Sequence, residues 1–116
     1  MLPYKRSERV SHLLREEIAD IIMNRLKEPR LGFLSIIEVE LSDDLKIAHI
    51  YVSVLREEER DSTIEILNSA RGFIRKELGR RLKMKFIPTI DFRLDTSIEK
   101  ASRIHSLLRK LKEEKD

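Results

Sequence analysis

Residues 62–82 read STIEILNSARGFIRKELGRRL, and this stretch decides the fold. Apolar residues recur at helical spacing on both sides of a break, Ile66, Leu67 and Ala70 before it and Ile74, Leu78 and Leu82 after it. Ser62 and Glu65 stand at the spacing of a capping box, in which each side chain satisfies an orphan amide of the first turn, so a helix is expected to open at Ser62. Gly72 would cost about 1 kcal/mol relative to alanine inside that helix. A kink, a fresh helix start or a close backbone approach is the expected reason for it. Ala70-Arg71-Gly72 is therefore read as the joint between two helices.

Working outward, residues 33–41 and 45–55 read as two strands. In the second, Ala48, Ile50, Val52 and Val54 alternate with Ile47, His49, Tyr51 and Ser53, and the first set is expected to face the core. Ser42-Asp43-Asp44 between them is short and polar, which predicts an antiparallel hairpin. Residues 7–27 carry Val10, Leu13, Leu14, Ile18, Ile21, Ile22 and Leu26 on one helical face, with Ser7 as the expected N-cap and Pro29 as the stop. Arg9, Arg15, Glu16 and Arg25 fall off that face and should meet water. Pro88 precedes a third strand, Thr89 to Leu94. Thr96-Ser97-Ile98-Glu99 repeats the capping-box spacing, so a last helix should run to about Leu111 before a fraying tail. The order α-β-β-α-α-β-α predicts an α+β domain with a three-stranded sheet and helices on one face. Residues 1–96 form the expected domain, and residues 97–116 a helical extension and tail.

Charge narrows the function. Lys and Arg total 24 against 21 Asp and Glu, yet the small excess is unevenly spread. Residues 41–70 carry 3 basic and 7 acidic side chains, and residues 71–116 carry 14 basic and 7 acidic. Within 71–85 seven cations (Arg71, Arg75, Lys76, Arg80, Arg81, Lys83, Lys85) meet only Glu77. On a helix, Lys76, Arg80 and Lys83 at i, i+4 and i+7 share one face, opposite Ile74, Leu78 and Leu82. A run of one sign is not a salt-bridge lattice, and it suits the phosphates of a nucleic acid. Arg71 and Arg75 precede that ridge by about a turn; Arg81 lies nearer the apolar side. Lys5, Arg6 and Arg9 make a second basic patch. Amides freed at Ala70-Arg71-Gly72 would bind a phosphate, or Gly72 lets the helix pair approach the sheet closely; both readings stand.

Enzymatic chemistry finds little support. The chain has no cysteine, and His12, His49 and His105 fall on three different elements without metal-ligand spacing. Its glycines, Gly32, Gly72 and Gly79, form no phosphate loop. No catalytic residue, metal or cofactor is expected. No apolar run approaches the ~20 residues of a membrane span, and the N-terminus does not read as a secretory signal, so a soluble cytoplasmic monomer is expected. A protein-binding adaptor is the alternative, using the sheet face of His49, Tyr51 and Ser53 or the acidic 57–61 loop.

Taken together, these pieces resemble the ribosome-binding factor A family, assembly factors of the small ribosomal subunit. The resemblance rests on Ser7-Glu8-Arg9-Val10, Glu28-Pro29-Arg30-Leu31, the hairpin from Val39 to Ser53, Ala70-Arg71-Gly72-Phe73-Ile74-Arg75, Arg80 to Pro88, and Phe92, Asp95 and Ser97-Ile98-Glu99. It implies a type II KH-like fold in which Ala70-Arg71-Gly72, at a helix kink, replaces the Gly-x-x-Gly loop that clamps single-stranded RNA in ordinary KH domains. It further implies a non-catalytic factor that binds the immature small subunit and its ribosomal RNA, promotes late maturation and supports growth in the cold. Ala101 stands where many relatives would carry glycine, which points to a longer, better ordered last helix.

Overall fold

Helix α1, Arg6–Asp20, lays Leu14 and Ile18 into the core, and a single π-helical turn, Ile21–Arg25, continues it. The wider turn is closed by Leu26 N–H donating to the Ile21 carbonyl at 2.9 Å, and it buries Ile21 and Ile22 side by side. The expected single helix over 7–27 is thus an α-helix followed by a π turn. The computed structural model describes residues 6–115, apart from the side chains at positions 98, 99, 114 and 115. Ser7 is no N-cap: it is buried inside α1, and its hydroxyl reaches the Asp43 carboxylate at 3.5 Å.

Strands β1, Leu34–Leu41, and β2, Ile47–Val54, form the expected antiparallel hairpin, and β3, Thr89–Leu94, joins β2 in parallel to give the order β1-β2-β3. On β2 the faces divide as expected, with Ala48, Ile50, Val52 and Val54 buried. On β1 the alternation would carry Glu38 and Glu40 inward after Ile36. A bulge at Ile37 prevents this: one extra residue shifts the register, so Val39 and Leu41 follow Ile36 into the core while both glutamates stay exposed. In the hairpin turn Leu45 adopts φ 63°, and Ser42 and Asp44 side chains accept the N–H of Lys46 at 3.2 and 3.1 Å.

The parallel β2–β3 pairing requires a long crossover, which the helix pair supplies. A 3₁₀ turn, Glu57–Glu59, leads into α2, Arg60–Ser69, and α3 follows as Arg71–Arg81. The capping box at Ser62 is therefore not formed. The helix starts two residues earlier, and the Ser62 hydroxyl donates back to the Glu59 carbonyl at 3.2 Å. Leu67, Ile74, Leu78 and Leu82 are buried in one core with Ile90 and Phe92. Helix α4, Ser97–Lys115, extends beyond the expected end near Leu111 and into the segment expected to fray. At its start the Asp95 carboxylate accepts both the Ser97 N–H and the Ser97 hydroxyl, at 3.1 and 2.9 Å. The glutamate of the second capping box, Glu99, lies outside the described side chains. From Lys100 to Glu113 every side chain of α4 is exposed, including the row Ile104, Leu107, Leu108 and Leu111.

Candidate nucleic-acid interface

The joint expected at Ala70-Arg71-Gly72 falls at Ala70, whose backbone leaves helical geometry at φ −91° and ψ 5°. Ala70 N–H still reaches the Ile66 and Leu67 carbonyls at 3.1 Å, and Ile74 N–H the Ala70 carbonyl at 3.0 Å, so the two helices stay hydrogen-bonded through the break. Gly72 is the second residue of α3 and exposed. A Cβ built on it meets nothing within 4 Å, so no close packing against the sheet demands a glycine there. Gly32 differs: its Cβ would lie 2.3 Å from Glu59 Oε2, the movable end of a side chain, and 3.2 Å from Glu59 Cβ.

The cations of 71–85 divide into those that hold the fold and those that stand free of it. Arg71 Nε donates to the Asn68 carbonyl at 2.9 Å, covering the C-terminus of α2 across the joint. Arg75 Nε and Nη2 donate to the Pro88 and Ile87 carbonyls at 3.0 and 2.9 Å, fixing the approach to β3. Arg81 pairs with Glu17 and Asp20, tying the end of α3 to α1. That pairing, led by the hydrogen bond from Arg81, holds the Asp20 carboxyl below its ordinary range. Arg80 sits 3.5 Å from Glu77, which is buried. Lys76 and Lys83 are exposed and form no ion pair among the described residues; Lys85 lies 5.7 Å over the ring of Phe86, itself exposed.

The expected ridge is shorter than i, i+4, i+7. Helix α3 ends at Arg81, and Leu82 turns extended at φ −108° and ψ 135°, so Lys83 projects from the following segment and not from the helix. Lys76 and Arg80 remain one turn apart on α3. The second patch stands away from them. Arg6 and Arg9 are exposed at the start of α1, whereas α3 meets α1 near Asp20, about 16 Å further along at 1.5 Å per residue. Lys5 lies outside the described residues. On one side of the joint a cleft is lined by Glu28, Arg30, Glu65, Ser69 and Ala70, and Arg30 there is gripped by Glu28 at 2.8 and 3.1 Å. Two carboxylates make that side a poor seat for phosphate.

Local pattern did not single out two residues that build this region. Asn68 fastens the end of α2 to β3. Arg25, delivered by the π turn, reaches Glu77 at 3.6 Å. Both contacts are long-range in sequence, and only the tertiary fold brings them together. The sheet face expected for a protein partner carries its own network: His49 Nδ1 lies 2.5 Å from Asp91, which also accepts Arg93 Nε at 2.8 Å. Among the described residues no helix is long and apolar enough to cross a membrane.

Comparison with known proteins agrees with this architecture. A family model described as ribosome-binding factor A matches residues 6–108. The Thermodesulfovibrio yellowstonii protein of that name is 51% identical over 112 residues, covering 97% of this chain and 95% of its own. The crystal structure of ribosome-binding factor A from Thermus thermophilus superposes with a TM-score of 0.68 at 28% identity, over 76% of this chain and 94% of that one. A homology model of the Thermus thermophilus factor, fitted into the cryo-EM map of its complex with the 30S subunit, gives a TM-score of 0.59 at 27% identity, over 81% of this chain and 97% of that one. The α+β fold with its three-stranded sheet is the KH-like fold of these structures.

Proposed function

The chain belongs to the ribosome-binding factor A family, and on that premise we propose that it binds the immature small ribosomal subunit through its ribosomal RNA and promotes late maturation without catalysis. The observation that carries this reading is the sorting of cations around the helix joint. Arg71 and Arg75 stiffen the joint and the approach to β3, while Lys76, Arg80, Lys83 and Lys85 stand exposed along and just beyond α3. Phosphates bind such a one-signed edge by displacing counterions. Binding there holds one conformation of the subunit, which is all an assembly step needs from a factor with no covalent chemistry. The fitted 30S complex of the Thermus thermophilus relative supports the choice of partner.

The reading carries its corollaries with it. The protein works in the cytoplasm, as a monomer, without a cofactor, and supports ribosome assembly in the cold. Residues 1–96 are the RNA-binding domain, and residues 97–116 the extension. Arg6 and Arg9 form a separate contact at the far end of α1, to which the sequence alone adds Lys5.

Co-sedimentation with mature and immature small subunits across a salt series tests it. With about four phosphate contacts, log K should fall against log salt with a slope near −3 to −4. Replacing Lys76, Lys83 and Lys85 with Glu should abolish binding while leaving the fold intact, because these three are exposed and form no ion pair among the described residues, and such substitutions rarely cost more than about 0.5 kcal/mol. An affinity indifferent to salt, or equal binding to naked duplex DNA with no preference among subunits, would sink the proposal.

A further inference from the structure

Glu77 is the buried acid of α3: its side chain is 9% exposed, and two arginines converge on it. Arg80 Nη1 lies 3.5 Å from Oε1, and Arg25 Nε lies 3.6 Å from Oε2. One carboxylate needs only one cation. The second adds mutual repulsion and the entropy of holding a long side chain, so its presence asks for a reason. Neither arginine grips Glu77 in the two-bond fashion that planar guanidinium and carboxylate groups favour. Each turns one nitrogen toward the acid, and the remaining N–H groups of its five-donor fork lie on side chains 54% and 62% exposed.

Two further features set the pair apart from a plain buried salt bridge. Arg25 reaches α3 from the π turn, a distortion that costs regular hydrogen bonding and recurs at functional sites. The nearby carboxylates of α1, Glu17 and Asp20, are both held by Arg81. Lys76 stands a turn before Arg80 on the exposed side of α3, and Lys83 follows just past the end of the helix. We propose that Arg25 and Arg80, pinned on Glu77, form a clamp for a single phosphate group, with Arg25 a binding residue that no local sequence pattern marks. Glu77 acts as a positioning residue: it orients the two guanidinium forks and leaves their outer edges to the anion. The proposal deepens the RNA-binding reading and rests on it for the identity of the polyanion, whereas the phosphate site itself can be tested alone.

The first experiment is NMR of the arginine Nε–H signals while inorganic phosphate is added to the full chain at low salt. Arg25 and Arg80 should shift together and saturate, and Glu77→Gln should remove that concerted response. If neither moves, or if they merely drift in step with Arg56 and Arg93, there is no clamp. Should Glu77→Gln fail to fold, the second measurement decides with an exposed substitution. Arg25→Gln should reduce the salt slope of small-subunit binding by about 0.7 to 1. Arg93→Gln, which removes the same charge from the opposite sheet face, should leave it unchanged; equal effects of the two would overturn the proposal. Wild-type protein that never sediments with subunits but gives the phosphate shifts would defeat the RNA reading and leave the clamp standing.

Discussion

Asn68 and Phe92 are joined in both directions: Asn68 Nδ2 donates to the Phe92 carbonyl at 3.1 Å, and the Phe92 N–H donates to Asn68 Oδ1 at 2.8 Å. β3 is an edge strand, and Phe92 turns its backbone away from β2, so the asparagine amide supplies what a fourth strand would. The same residue's backbone carbonyl accepts Arg71, so the last turn of α2 is held from two sides just before the joint. Asn68→Ala leaves a buried N–H without an acceptor and should cost about 2 kcal/mol. Asn68→Asp keeps the acceptor but sets a carboxylate against the Phe92 carbonyl, and should cost no less. Urea unfolding of both variants measures this, and wild-type midpoints would show the pair to be idle.

The architecture was legible where burial is periodic and local. Ala48 to Val54 alternate cleanly, and Leu67, Ile74, Leu78 and Leu82 mark the buried side of the helix pair whatever happens at its joint. The boundaries were less so, because the signals that misled are weak beside tertiary packing. Ser62-x-x-Glu65 has the form of a cap, yet the 3₁₀ turn before it already closes the helix start. The Ile37 bulge is invisible to a period-two reading and shows itself only as the conflict that Glu38 would otherwise create. At the site, a dense cationic run was readable from composition, but the work of each arginine was not. Arg75 meets carbonyls of Ile87 and Pro88 that the chain reaches only after leaving α3, and Arg25 finds Glu77 on a helix far along the chain.

Gly72 makes the joint testable. It lies in helical backbone without a positive φ, and nothing crowds the position of a Cβ. Gly72→Ala should therefore stabilise the fold, by up to about 1 kcal/mol, through a smaller loss of chain entropy. If the backbone of the joint approaches a phosphate, the added methyl should at the same time weaken subunit binding several-fold. A thermal melt and a sedimentation assay on one variant separate the two effects. A more stable protein that binds as well as wild type would leave the glycine without a ligand role.

Helix α4 should be dispensable for the stability of the rest. Its described side chains from Lys100 to Glu113 are all exposed, so removing residues 100–116 deletes little that the core packs against. The melting temperature should move by less than about 4 °C, the shift expected from about 0.5 kcal/mol in a domain of this size. The truncated protein should also self-associate less at high concentration, because Ile104, Leu107, Leu108 and Leu111 form an apolar row open to solvent. Melting and light scattering on the 1–99 chain check both statements.

Acid should destabilise the protein in part through Asp91. Burial raises its carboxyl, but hydrogen bonds from His49 and Arg93 outweigh that and hold it below the ordinary range. A carboxylate depressed in the folded state contributes stability above the unfolded value, about 3.9, and loses that contribution as pH falls through the folded value. Asp20, held chiefly by Arg81, Glu28, held chiefly by Arg30, and Asp44, held chiefly by Ser42, act in the same sense. Urea midpoints should thus be steady near neutrality and drop below about pH 4. Asp91→Asn cannot titrate, so it should begin less stable at neutral pH and lose less on acidification. The two curves should converge at the acid end. Parallel curves would mean that the His49–Asp91–Arg93 network contributes nothing to the acid limb, and that the loss belongs to the other depressed carboxylates, Asp20, Glu28 and Asp44.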